Sequence, residues 1–219
     1  MQKIIAIDGP AASGKSTVSR NVAKRFGILY VNSGAMYRAV TWSVINAGID
    51  PADESAVNAH LKEILIKAGV RDERATISID GFEPAKELVS ELVNASVSAV
   101  SKHANVRERL VAEQQKYAEL GPLVMEGRDI GTVVFPSTPY KFFLNASAEV
   151  REERRRAQGI DDDLAARDKQ DSGRKIAPLK VAEDAQVVDT SKLSIDGVVD
   201  AICASLVAAG WEELAGTDA

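Results

Sequence analysis

Five short, mostly apolar runs punctuate the chain: Lys3–Asp8, Ile28–Val31, Leu123–Glu126, Tyr140–Asn145 and Gln186–Asp189. Each reads as a strand buried on both faces. Between them, apolar residues recur at helical spacing. Lys15–Phe26 and Gly34–Ala47 follow the first two runs, the latter stopped by Gly48, and Glu149–Gln158 and Ile195–Ala209 belong to the second half. Strand–helix alternation predicts an α/β fold: a five-stranded parallel sheet flanked by helices on both faces. Ligands of such sheets sit beyond the C-terminal strand ends.

A long excursion separates the second helix from the third strand. A helical segment is expected over Asp53–Ala68, followed by the strand-like alternation Thr76–Ile79 and a turn at Asp80-Gly81. Helical stretches run on to Leu120 and stop at Gly121-Pro122. The pattern predicts a subdomain, about residues 60–103, inserted in a single domain spanning 1–219. The weakly patterned tail Gly210–Ala219 is expected to fray.

The polar motifs fall at the predicted strand ends. After the first strand come Gly9, Pro10, Ala11, Ala12, Ser13, Gly14, Lys15, Ser16 and Thr17, the Gly-x-x-x-x-Gly-Lys-Ser spacing of a phosphate-binding loop. Its glycines let backbone N–H groups curl around phosphate oxygens, and the following helix turns its positive end to the same anion. Lys15 reaches the β- and γ-phosphates, and the Ser16 hydroxyl is placed to ligate Mg²⁺. The motif predicts nucleoside triphosphate binding. A net charge of −5 argues against nucleic acid as a partner. The single cysteine, Cys203, excludes an internal disulfide and reads as core. His60 and His103 lie on polar helical stretches and are expected at the surface. With no signal peptide and no membrane span evident, a cytoplasmic monomer is expected.

Arginine is unevenly distributed. Arg38 and Arg128 lie just past the ends of two different strands, Arg128 directly after Gly127, where guanidinium groups could hold a second phosphate beside the triphosphate. Arg151, Arg154 and Arg155 stand at i, i+3 and i+4 on a later helix. Helix statistics favour a solvated face for them, whereas a triphosphate site elsewhere favours phosphate contacts. The reaction class suggested is phosphoryl transfer to a phosphorylated acceptor.

Four stretches carry a family likeness: Ile7-Asp8-Gly9-Pro10, Ser33-Gly34-Ala35-Met36-Tyr37-Arg38, Gly127-Arg128-Asp129-Ile130-Gly131-Thr132-Val133-Val134-Phe135-Pro136, and Arg174 leading into Ala177-Pro178-Leu179. With these the chain resembles the bacterial cytidylate kinases, P-loop nucleoside monophosphate kinases. The resemblance implies a P-loop kinase fold, ATP as donor with Mg²⁺, and CMP or dCMP as acceptor. It implies that Arg38, Arg128 and Arg174 hold the acceptor phosphate, that Ser33, Ser98, Arg107 and Asp129 surround the cytosine, and that Arg167 and Asp171 lie near the sugar. Lys15, Arg128, Arg155 and Arg174 are then the catalytic set, Arg154 joins the ATP site, and a short lid covers about residues 152–174. Asn32, Asn145 and Gln170 depart from residues common in that family, and Ala157–Ala166 is shorter than its usual lid. Two rival readings are a related kinase for UMP, AMP or shikimate, and a nucleotide-switched protein. Against the second, the chain has no Asn-Lys-x-Asp element for guanine.

Overall fold

The computed structural model describes residues 3–71, 74–159, 163–174 and 176–211. The tail beyond 211, and Asp161 and Asp162 of the expected lid, lie outside the described residues. Among the described residues seven strands form one sheet. The five expected runs lie parallel within it: β1 (Ile4–Asp8), β2 (Leu29–Asn32), β5 (Leu123–Gly127), β6 (Tyr140–Asn145) and β7 (Gln186–Asp189). With β3 (Ile66–Arg71) and β4 (Arg74–Ile79) from the excursion, the order is β3-β4-β2-β5-β1-β6-β7. Central β1 pairs with β5 at Ile4↔Leu123 and with β6 at Ile5↔Tyr140.

All five residues of β1 are buried, and the four apolar ones divide between two cores. Ile4 and Ala6 face one cluster with Val40, Val44, Val100 and Leu110, while Ile5 and Ile7 face the other with Val18, Val22, Phe26 and Ile202. A strand that serves two cores must be apolar where it faces them, hence the unbroken run Ile4–Ile7.

α1 (Lys15–Phe26) presents Val18, Val22 and Phe26 to the second core. Gly27 ends it at φ 60°, its N–H bonded to the carbonyls of Ala23 and Lys24. α2 (Ser33–Asn46) is capped by Asn32, whose side chain accepts from Ala35 N. α3 (Glu54–Glu63), α4 (Glu91–Ser101) and α5 (Ala104–Lys116) fill the excursion. α6 (Ala148–Ala157) and α7 (Leu164–Ser172) follow β6, and α8 (Ile195–Ala208) closes the second face.

Three expectations need correction. The helix expected to reach Ala68 stops at Glu63, because Ile64 is extended and the chain enters β3 (Ile66–Arg71). β3 and β4 (Arg74–Ile79) form an antiparallel hairpin with Ile66↔Ile79 in register, so the sheet has seven strands rather than five. β4 then joins β2 in parallel at Tyr30↔Arg74. The histidines are not surface residues. His103 is 3% exposed and its Nε2 lies 2.9 Å from the Pro51 carbonyl oxygen, while part-buried His60 bonds Ser43 Oγ at 2.7 Å. His60 ties α3 to α2, and His103 ties the start of α5 to the turn at Pro51, through contacts invisible to local pattern. Cys203 is buried as expected.

Candidate functional site

The C-terminal ends of β1, β2 and β5 open onto one cleft, roofed by α4, α6 and α7. On the donor side the chain leaves β1 at Gly9 and enters α1 through Gly14, at φ 89°. Gly9 passes so close to the Leu144 carbonyl that a Cβ would collide with it. Ala12 sits at φ 58°, a conformation that helps bend the loop. Lys15 is 5% exposed, and its Nζ donates to the Pro10 carbonyl at 2.6 Å and to Ser13 Oγ at 3.4 Å. Burial, and then the nearby Arg128, bring the Lys15 ammonium down to about 7. The loop thus already holds an ammonium in a desolvated place, where an arriving polyphosphate would find it. Ala11, Ala12, Lys15 and Ser16 line the cleft. Gly9, Pro10, Ser13 and Gly14 shape the loop behind them, and Thr17 is exposed on α1.

The far wall carries the predicted acceptor-side residues. Ser33, Arg38, Ser98, Arg107, Arg128 and Asp129 all line the same cleft, and so do Arg155, Arg167, Asp171 and Arg174. Their chemistry is ordered by pairing. Arg107 and Asp129 form a buried ion pair, with the Arg107 guanidinium 5.4 Å from the Tyr37 ring centre. Asp171, 3% exposed, is gripped from both sides, by Arg128 Nε at 2.8 Å and by Arg174 at 2.5 Å. Burial pushes its carboxyl upward, but Arg128 and Arg174 outweigh that and hold it below the usual carboxylate range. Arg174 also donates to Ser101 Oγ at 3.1 Å, and Arg38 to the Leu88 carbonyl and Asn94. These fork-shaped donors suit phosphate oxygens, which could replace the present carboxylate and carbonyl partners.

The arginines of α6 do not act as one face. Arg155 lines the cleft. Arg154 turns away, donating to Thr190 Oγ1 at 3.0 Å and to the Thr190 carbonyl at 2.8 Å, beside the Ala12 carbonyl. Thr190 in turn donates to the Ser13 carbonyl at 3.0 Å, so Arg154 buttresses the phosphate loop from behind. Arg151 pairs with Asp168 of α7 at 2.6 Å and reaches the Ala11 carbonyl.

Sequence reasoning passed over several residues. Tyr37, Ser101 and Glu126 also line the cleft. Glu126, 3% exposed at the end of β5, accepts from the Tyr30 hydroxyl at 2.7 Å. Burial and that carboxylate push the tyrosine's ionisation upward. An acidic residue closing an otherwise apolar strand was the available signal. Asn32 lines the cleft while capping α2, whereas Asn145 and Gln170 are exposed outside it. Those two substitutions therefore do not alter the cleft wall.

The family model described as cytidylate kinase matches residues 5–207. A cytidylate kinase from Geobacillus sp. (strain WCH70) is 44% identical over 209 residues, covering 90% of this chain and 93% of its own. One from Nocardia farcinica (strain IFM 10152) is also 44% identical, covering 90% of each chain. Among solved structures, a gluconokinase from Sinorhizobium meliloti 1021 superposes with a TM-score of 0.52 at 15% identity, over 95% of this chain and 93% of its own, a likeness of fold.

Proposed function

The chain belongs to the cytidylate kinase family, and from that premise we propose that it transfers the γ-phosphoryl group of ATP to CMP or dCMP, giving ADP and CDP or dCDP. One observation carries the reading: the buried Lys15 of the phosphate loop and the acceptor-side arginines Arg38, Arg128 and Arg174 share a single cleft. A donor and an acceptor phosphate can therefore meet with cations on both sides.

In this reading Gly9 to Thr17 hold the triphosphate, with Arg154 bracing the loop. Arg38, Arg128 and Arg174 take the acceptor phosphate, and Arg167 and Asp171 face the sugar. Asp129, Arg107, Ser33 and Ser98 meet the cytosine. A carboxylate can accept from its N4 amine, while arginine and serine donate to N3 and O2. Uracil replaces the amine with an acceptor and opposes the carboxylate. The attacking phosphate oxygen is ionised at neutral pH, so no strong general base is needed. Positioning and charge neutralisation by Lys15, Arg128, Arg155 and Arg174 suffice. Residues of about 152–174 serve as a lid that excludes water, and those of about 60–103 as the acceptor-binding insertion. The chain acts as a monomer.

The residues present fit Mg²⁺ delivered with the nucleotide. The Ser16 hydroxyl and the Glu126 carboxylate line the cleft, and no group of three His, Cys, Asp or Glu side chains gathers among the described residues to form a cage of its own. When bound, the ion would offset the charge on the β- and γ-phosphates.

The test is ADP release from ATP over a panel of CMP, dCMP, UMP, AMP and GMP. The expected result is CMP and dCMP as the best acceptors, with UMP worse by at least ~100-fold in kcat/KM, since opposing buried polar groups is costly. Equal use of UMP and CMP overturns the acceptor assignment.

A further inference from the structure

Asp8 plays no part in the reading above, yet it joins the strand that leads into the phosphate loop to the turn that follows Asp129. It is the last residue of β1, next to Gly9, and is 5% exposed. Both carboxylate oxygens are used. Oδ1 accepts from Ile130 N and Oδ2 from Gly131 N, each at 2.8 Å. Burial is the main influence on its carboxyl, lifting it to about 6 against those two bonds. These are the first two residues of the π-helical turn Ile130–Val134, and the residues just before them are Arg128 and Asp129.

The turn sits in a tight seat. A Cβ on Gly131 would come within 3.1 Å of Lys141 Cδ and 3.4 Å of Asp8 Oδ2, and one on Gly127 would meet Ile130 Cδ1 at 2.7 Å. Lys141 is fixed in turn by the Pro136 carbonyl at 2.7 Å and the Asp184 carboxylate at 2.8 Å. Apolar packing and the lysine stem hold the turn from several sides, and Asp8 supplies its polar attachment to the central strand.

We infer that Asp8 is a positioning residue for the acceptor: by holding the Ile130 and Gly131 amides it sets the Arg128 guanidinium and the Asp129 carboxylate together. This rests on the CMP kinase reading. The phosphate loop does not depend on the same side chain, because the β1 backbone is paired on both edges, by β5 and β6. Loss of the Asp8 carboxylate therefore falls on acceptor phosphate and base choice at once, and reaches the donor only as a lesser influence of its charge on Lys15.

Asp8→Asn tests this, since it keeps the shape and turns an N–H donor toward one of the two amides. Steady-state KM values are measured for ATP and CMP, with kcat/KM for CMP and UMP. The KM for CMP should rise about tenfold, the loss expected of a charge-assisted hydrogen bond. The CMP-over-UMP preference should narrow by a similar factor, and the KM for ATP should stay within about threefold. Parallel rises in both KM values, or no change in the KM for CMP, overturn the assignment. If Asp8→Asn does not fold, Gly131→Ala applies the same test, since its methyl presses on Asp8 and Lys141 and leaves the donor loop untouched. A wild-type enzyme without CMP preference defeats the underlying reading instead. The split between donor and acceptor KM, read on whichever monophosphate is used, then still decides the role of Asp8.

Discussion

The phosphate loop with α1 and the α6–α7 segment both border the cleft, and they are held by different forces. α1 buries Val18, Val22, Ala23 and Phe26 in a core shared with β1, β5, β6 and α8, and Phe26 packs edge-on to Trp211 at 6.0 Å. α6 buries none of its residues, and α7 buries Leu164 and Asp171. What holds α6 and α7 is mostly polar: Arg151 on Asp168, Arg154 on Thr190, and Asp171 between Arg128 and Arg174. Apolar packing offers one arrangement, whereas ion pairs can be exchanged for phosphate oxygens of similar geometry. The loop with α1 is therefore a fixed template, and the α6–α7 segment can reorganise when ligands bring their own anions.

The strongest test of the template is Lys15→Ala. Turnover should fall by about 10³ or more, as for removal of a principal charge stabiliser, with the circular dichroism spectrum unchanged. A folded variant with near wild-type turnover would remove Lys15 from the site. Next in size is Phe26→Ala, which should cost roughly 3–5 kcal/mol in urea unfolding, since it empties a fully buried site. A loss below about 1 kcal/mol would mean that α1 is not held by packing. On the other side, Arg155→Ala should lower kcat about 100-fold, shift the dissociation constant of CMP by less than about threefold and leave the melting temperature alone. Equal losses in binding and turnover would place Arg155 in the ground state instead.

The smallest effect concerns the free enzyme. The Lys15 ammonium titrates near 7 in the fold against 10.5 when unfolded. Protonated lysine is thus disfavoured by folding, a penalty in full force below pH 7 that fades as pH rises toward 10.5. Lys15→Met should be more stable than the wild type without ligand, by on the order of 2 kcal/mol at pH 6, with the gap clearly narrower at pH 9. A constant gap across that range would trace the gain to the methionine's packing.

The template was the more legible half. Its strand, loop and helix are adjacent in sequence, and the β1 run carries its double burial on its face. The acceptor wall was readable only through motifs, because its pairs lie far apart: Arg107 and Asp129 across 22 positions, Arg174 and Ser101 across 73. β3 was missed because its apolar residues continue the helical spacing of α3, and only pairing with β4 fixes it as a strand. Arg154 shared helical spacing with its neighbours, yet Thr190, 36 positions away, decides where it points.

Gly9 carries a genetic consequence. Every missense change of a glycine codon adds a Cβ, and at this position any Cβ runs into the Leu144 carbonyl oxygen of the neighbouring strand. That oxygen belongs to the backbone, so no compensating side-chain mutation on β6 can make room. The codon is consequently closed to gradual drift in a way that Gly48 or Gly210 is not: their Cβ positions meet nothing within 4 Å, and a substitution there bears only the strain of a positive φ.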